Sequence, residues 1–296
     1  MKKKKFIKLL KQRLPKLLKK NFLNSFYIIF LGAISSYSLP PYNYFIINFI
    51  TFSLFFIFIF KKKKSILHNK SFFQYGWYFG FGYFLFSLYW ISISLTFDQS
   101  FKFLIPVAII LLPAFLAIFY GLITYLFSIF YSKNLVTSFF IFSILFGTIE
   151  FVRSSILTGF PWNLIAFSFS NSIYFIQILS IIGTYSFNLI CISLFTVPAL
   201  FILRNSRKEI IVCFFFILMS AGFLIFGNFK NNNFNSLEGI KNSYTIKAIS
   251  SNISLDRFYS KQDELKIINE LIELSAPTKK SLQSFYGQRE LSQTAI

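Results

Sequence analysis

FLIPVAIILLPAFLAIFYGLITYLFSIFY, residues 103–131, carries no charged side chain, and its reading decides the fold class. At about 1.5 Å per residue, a helix of this length exceeds the ~30 Å hydrocarbon core of a bilayer. Similar apolar runs lie on both sides of it. Their spacing predicts about seven transmembrane helices, over 22–39, 43–60, 72–96, 103–131, 135–152, 173–203 and 209–227. Segment 159–172 is apolar but interrupted by Pro161, and is expected to be re-entrant or interfacial.

Composition agrees with lipid as the solvent. The 296 residues are 55% hydrophobic, include 45 Phe, and have a mean hydropathy of +0.61. A soluble domain of this length cannot hide so much apolar surface in one core. The net charge of +20 does not indicate a nucleic-acid partner. Basic residues cluster in short runs between spans, as at Lys61 to Lys64, while the aromatics lie inside the apolar runs. Abundant Phe, Ile, Lys and Asn point to an AT-rich bacterial genome. Cys191 and Cys213 fall within apolar spans and read as buried or lipid-facing residues. His68 stands in a basic loop. No metal site and no cofactor is expected.

Residues 1–21 are strongly basic, with Phe6, Leu9, Leu10, Leu14, Leu17 and Leu18 at helical spacing. Such a segment can lie on an anionic leaflet as an amphipathic helix. A cleaved signal peptide fits less well, because no small-residue cleavage site follows the next apolar run, which ends at Leu39-Pro40-Pro41. Basic residues at 2–20 and 61–70, then Lys133, Arg204, Arg207 and Lys208, alternate with the less basic loops holding Asp98, Ser154 and Ser155. The alternation predicts an inside N-terminus and an outside segment after the seventh span.

From residue 228 the composition turns polar. Tyr244-Thr-Ile-Lys-Ala-Ile-Ser250 alternates and reads as a strand. Over 261–275, Leu265, Ile268, Leu271 and Ile272 share one helical face. Residues 228–280 therefore read as the start of a soluble α/β domain. One strand and one helix are too little to bury a core.

Candidate functional residues are few. Only Asp98 and Glu150 among the acids precede Glu209. Glu150 and Arg153, three residues apart, share a helical face and can pair. A carboxylate at membrane depth marks either a functional site or an interfacial ion pair, and both readings stand. Thr158-Gly159-Phe160-Pro161-Trp162-Asn163 breaks the helix and places Trp at the membrane–water boundary. It reads as the mouth of a lipid-binding cleft or as a plain interfacial turn. Gly76 and Gly80, four apart, are expected to let helices approach closely.

These strings together resemble the apolipoprotein N-acyltransferases. The resemblance rests on Glu150-Phe-Val-Arg153, on Thr158-Gly-Phe-Pro-Trp-Asn163, and on Gln177 and Gly183. It rests also on Leu39-Pro40-Pro41 and on Gly76-Trp-Tyr-Phe-Gly80-Phe-Gly82-Tyr-Phe ending in Tyr89-Trp90. Ser250-Ser251-Asn252-Ile253 resembles the opening of the family's nitrilase-like domain. The resemblance runs from about residue 25 to 280. It implies an all-α polytopic bundle in the bacterial inner membrane, with a cytoplasmic N-terminus and a periplasmic nitrilase-like domain beginning in 228–280. It implies a phospholipid acyl donor, a lipoprotein acceptor and surrounding membrane lipids. In the family's reaction a phospholipid acylates an enzyme cysteine, and the acyl group passes to the N-terminus of a diacylglyceryl-cysteine lipoprotein. A Glu-Lys-Cys triad does this chemistry as base, oxyanion stabiliser and nucleophile.

None of the three triad residues can be placed on this chain. It reaches Ile296 without the nucleophilic cysteine, the Trp-Pro-Glu motif that bears the base, or a last span, and Lys279 and Lys280 lie too early. Read from the third base of Phe285, the codons of 285–291 permit Leu-Trp-Pro-Glu-Gly-Ile, which resembles the missing base motif. A frameshift shortly before Phe285 is therefore expected, with 281–296 an out-of-frame tail and the nitrilase-like part a truncated remnant. The leading expectation is an N-acyltransferase by descent, inactive as this chain. The alternative is a non-enzymatic membrane module that binds phospholipid or lipoprotein, completed by a separately encoded catalytic domain. A transporter fits poorly, since no internal repeat and no central charge is present.

Overall fold

A computed structural model of the chain describes residues 23–65, 69–156, 159, 161–236 and 264–275. Every regular element among them is helical. Helix α1 spans Leu23–Ser36 and α2 spans Ile46–Ser65. Helix α3, Lys70–Leu88, runs on into two 3-10 segments, Tyr89–Thr96 and Gln99–Leu104. Then come α4, Ile105–Phe130, and α5, Leu135–Ser155. A broken loop leads to a 3-10 turn at Ile165–Phe169 and the single turn α6, Ile173–Ile176. Helices α7, Leu179–Leu203, and α8, Arg207–Ser236, complete the bundle.

Local chemistry explains several boundaries. The Asn134 side chain accepts the Thr137 N–H at 3.1 Å and starts α5. At the start of α8, Glu209 Oε2 accepts from the Ser206 N–H and hydroxyl at 2.8 and 2.6 Å, and the Ser206 Oγ accepts the Lys208 N–H at 3.3 Å. Helix α7 breaks at Gly183, whose φ of 73° and ψ of 168° no helix contains.

All seven expected spans are helical where described, and among the described residues five helices are long and apolar enough to cross a membrane by length and composition. These are Lys70–Thr96, Gln99–Phe130, Leu135–Ser155, Leu179–Leu203 and Arg207–Ser236. The other two differ for visible reasons. The described part of α1 covers Leu23–Ser36 and ends before the Leu39-Pro40-Pro41 turn. Helix α2 is 20 residues long but runs past Phe60 through the lysines at 61–64. The chain is a multi-pass helical membrane bundle.

Helix α2 sits at its centre. Phe55 stacks on Phe79 of α3 at 4.2 Å, Phe52 meets Phe146 of α5 at 5.4 Å, and Phe49 meets Phe195 of α7 edge-on at 4.9 Å. In lipid there is no hydrophobic drive between helices, so packing and interhelical hydrogen bonds hold them. Phe supplies the contact area. Thr124 donates to the Phe72 carbonyl at 2.6 Å, Trp77 to Ala114 at 3.0 Å and Ser53 to Phe195 at 3.0 Å. Asn48, fully buried, accepts from Ser35 at 2.6 Å and donates to Ser38 at 2.8 Å, joining α1 to α2.

Glycines bring α3 close to both neighbours. A Cβ on Gly76 would lie 2.1 Å from the Tyr120 carbonyl of α4, and one on Gly82 would lie 2.1 Å from the Ile29 carbonyl of α1. Gly80 likewise faces the Tyr120 Cβ. The close packing expected at Gly76 and Gly80 is present. Contacts at the helix ends align the bundle. Phe60 packs on Tyr131 at 5.5 Å, bringing the C-terminal ends of α2 and α4 together, and Phe139 packs on Phe216 at 5.7 Å.

The chain divides into two units between Leu237 and Glu238. In the first, α8 continues past Gly227 to Ser236. In the second, α9, Glu264–Ser275, is helical where a helix was expected, and Ile268, Leu271 and Ile272 are exposed. The basic segment 1–21, His68, Thr158, Phe160, the strand expected at 244–250, Ser250 to Ile253 and the tail 281–296 lie outside the described residues.

Candidate functional site

The last turns of α5 carry Glu150 and Arg153. Spaced three apart, they meet on one face: Arg153 Nη2 to Glu150 Oε2 is 3.0 Å and Nε to Oε1 is 3.3 Å. Both side chains have no solvent exposure. The guanidinium also donates from Nη1 and Nη2 to the Trp162 carbonyl, each at 3.3 Å. Its central carbon stands 5.3 Å from the centre of the Phe84 ring. Beside it, Tyr83 donates its hydroxyl to the Asn163 carbonyl at 3.0 Å.

This arrangement answers a physical need. After α5 the backbone leaves the helix, with φ of 77° at Gly159 and 59° at Asn163. Carbonyls freed at membrane depth must find donors within the protein. Arg153 and Tyr83 supply them, and Glu150 neutralises the arginine that does so. The 3-10 turn that follows is held in the same way: the Ala166 N–H donates to the buried Asn188 Oδ1 of α7 at 2.9 Å.

Above the pair lies a cleft of about 470 Å3. Leu39, Pro40 and Pro41 line it from the turn after α1, and Ser87 and Trp90 from the end of α3. Trp162 and Asn163 come from the broken loop, Phe167 and Ser170 from the segment beyond. The indoles of Trp90 and Trp162 stack at 5.3 Å and 16°. Trp162 remains 48% exposed. Ser170 donates to Asn43 at 3.3 Å and Asn43 to the Pro41 carbonyl at 3.1 Å, which ties the two rims together.

Of the seven candidate residues, Trp162 and Asn163 line the cleft, and Glu150 and Arg153 are buried behind the loop that carries them. Gly159 makes the turn, Pro161 is exposed, and Phe160 lies outside the described residues. Leu39-Pro40-Pro41 and Tyr89-Trp90, far apart in sequence, reach the same cleft or its rim. Reading by motif missed Tyr83, Phe167, Ser170 and Asn188. Tyr83 was visible only as one aromatic in a glycine-rich run, and nothing local marks the others.

None of the described residues that line the cleft is an acid, a base or a thiol. Cys191 and Cys213 are buried in α7 and α8, and Cys213 Sγ lies 3.8 Å from the Val197 carbonyl. Among the described residues no group of His, Cys, Asp and Glu could hold a metal ion. Apolar walls, stacked indoles and a few hydroxyls can hold an apolar chain beside a polar head.

The family model of the apolipoprotein N-acyltransferase N-terminal domain matches residues 31–197. The apolipoprotein N-acyltransferase of Rhizobium etli (strain CIAT 652) is 36% identical over 193 residues, 63% of this chain and 36% of that protein. That of Brucella melitensis is 30% identical over 203 residues, 65% of this chain and 37% of the relative. That of Rhodopseudomonas palustris is 30% identical over 206 residues, covering 67% and 38%. The chain thus spans little more than a third of the length of the curated relatives it matches. The matched region contains every segment that lines the cleft, from the turn after α1 to the loop beyond α5, and on it the chain belongs to the apolipoprotein N-acyltransferase N-terminal domain family.

Proposed function

We propose that this chain supplies the lipid-holding membrane part of an apolipoprotein N-acyltransferase, and that its cleft takes an acyl chain of the phospholipid donor or of the lipoprotein acceptor. The observation that carries this reading is the convergence of three separated motifs on one apolar cleft with half-exposed stacked indoles. The protein lies in the bacterial inner membrane with its N-terminus cytoplasmic and the cleft at the periplasmic end. The lysines at 61–64, Lys133, Arg204, Arg207 and Lys208 all belong to helix ends away from the cleft, which supports that orientation. Residues 228–280 begin a periplasmic nitrilase-like domain, and α9 is consistent with its first helix.

By itself the chain transfers no acyl group. Thioester chemistry needs a thiolate beside a base and an oxyanion stabiliser. Both cysteines are instead buried within membrane helices, away from the cleft. The same burial favours a second reading, a membrane module completed by a separately encoded catalytic domain. A phospholipid carrying a photoreactive acyl chain tests the cleft. Crosslinks on the Trp90, Trp162 and Phe167 segments are expected, and they should fall on Trp162→Ala. Labelling confined to the outer faces of α4 and α8 would overturn the assignment.

A further inference from the structure

At the other end of α1 and α2, where the Tyr27 and Phe58 rings stand 6.3 Å apart, lies a groove of about 390 Å3. Its wall is apolar, made by Tyr27 of α1 and by Leu54, Ile57 and Phe58 of α2. Its mouth is cationic, lined by Lys61 and Lys62. The Lys62 ammonium stands 5.3 Å from the Phe58 ring centre, so its stem follows the wall and its charge sits at the rim. The wall is built on firm backing: Tyr75 meets Phe58 edge-on at 5.1 Å. The groove shares no residue with the cleft.

We propose that this groove is a second lipid site, which holds one anionic phospholipid with its phosphate at Lys61 and Lys62 and an acyl chain along Tyr27, Leu54 and Ile57. Charge complementarity selects the headgroup, as basic pockets between membrane helices do generally. The apolar wall below the lysines selects a lipid over an acidic protein, because at that depth an acyl chain is the filler at hand. The bound lipid also has a structural part. Near the cleft α1 and α2 are joined through Asn48 with Ser35 and Ser38, and the lipid extends that seam at the other end, beside Tyr27 and Phe58. This proposal is independent of the acyl-transfer reading, since the lipid is retained and not consumed.

The test uses the full chain in vesicles of equimolar phosphatidylglycerol and phosphatidylethanolamine, purified in mild detergent and weighed by native mass spectrometry. One phosphatidylglycerol should remain bound in preference to phosphatidylethanolamine. Lys61→Gln with Lys62→Gln should lower its retention by about fivefold per lysine. Ile57→Trp should expel it while every charge stays in place. Arg204→Gln with Lys208→Gln, basic positions outside the groove, should leave it bound. Equal loss in that control would reduce the effect to diffuse surface charge and overturn the proposal. So would equal retention of both lipids, displacement by inorganic phosphate, or an acidic protein purifying in the lipid's place. The lysine variants leave the wall intact, so a folding failure in Ile57→Trp still leaves the charge comparison decisive.

Discussion

Arg153 shows how one side chain can serve a loop it does not belong to. Its fork binds Glu150 and the Trp162 carbonyl at once, a geometry that a lysine's single ammonium cannot reproduce. Removing either partner of a buried pair strands the other, at about 3–5 kcal/mol. Glu150→Gln should therefore destabilise the bundle strongly, and Glu150→Gln with Arg153→Met should do less harm than the sum of the two single changes. Thermal unfolding in detergent micelles, read as a double-mutant cycle, decides this; strict additivity would show that the pair is not coupled. Trp162 behaves differently. It is 48% exposed and stacks on Trp90, so Trp162→Ala should cost only about 0.5–1.5 kcal/mol of stability. In a full-length enzyme carrying this membrane domain, the same change should lower acylation far more than folding. Parallel losses would make the residue structural only.

At the scale of elements, packing of α3 is set by the absence of side chains. The Cβ of Gly76→Ala would meet the Tyr120 carbonyl of α4, a backbone atom that cannot swing aside, so the helices must separate. A loss of about 1–3 kcal/mol is expected. Gly222→Ala in α8 is the matched control, because nothing lies within 4 Å of the added methyl and helix propensity gains up to about 1 kcal/mol. Comparing unfolding midpoints of the two variants separates close packing from propensity. A Gly76→Ala protein as stable as Gly222→Ala would refute the tight α3–α4 seam.

For the molecule as a whole, orientation and activity are the quantities to predict. Reporter fusions after Lys64 and after Asn233 should fall on opposite sides of the membrane, because α8 ends away from the lysine-rich end of α2. Both reporters on one side would invalidate the topology. Expressed in a strain depleted of its own N-acyltransferase, the chain alone should yield no triacylated lipoprotein by mass spectrometry of the amino terminus. Any triacylated product would show that a thiol buried in α7 or α8 reaches substrate after all.

Much of this protein was legible before any coordinates. Uninterrupted apolar runs identify membrane helices, because a bilayer leaves the backbone few alternatives. The three-residue spacing of Glu150 and Arg153 was enough to pair them, and Gly76 with Gly80 was enough to mark a close seam. What lay hidden was everything that depends on distance across the chain. Sequence could not show that Arg153 caps the Trp162 carbonyl, or that Tyr83 and Asn188 hold the broken loop from α3 and α7. Nor could it show that α1 stops short and that Leu39-Pro40-Pro41 turns back to face Trp162. Hydropathy and helical period are properties of neighbours along the chain, so they were readable there. A cleft and the donors that satisfy its backbone come from residues many positions apart, and only the packed helices bring those together.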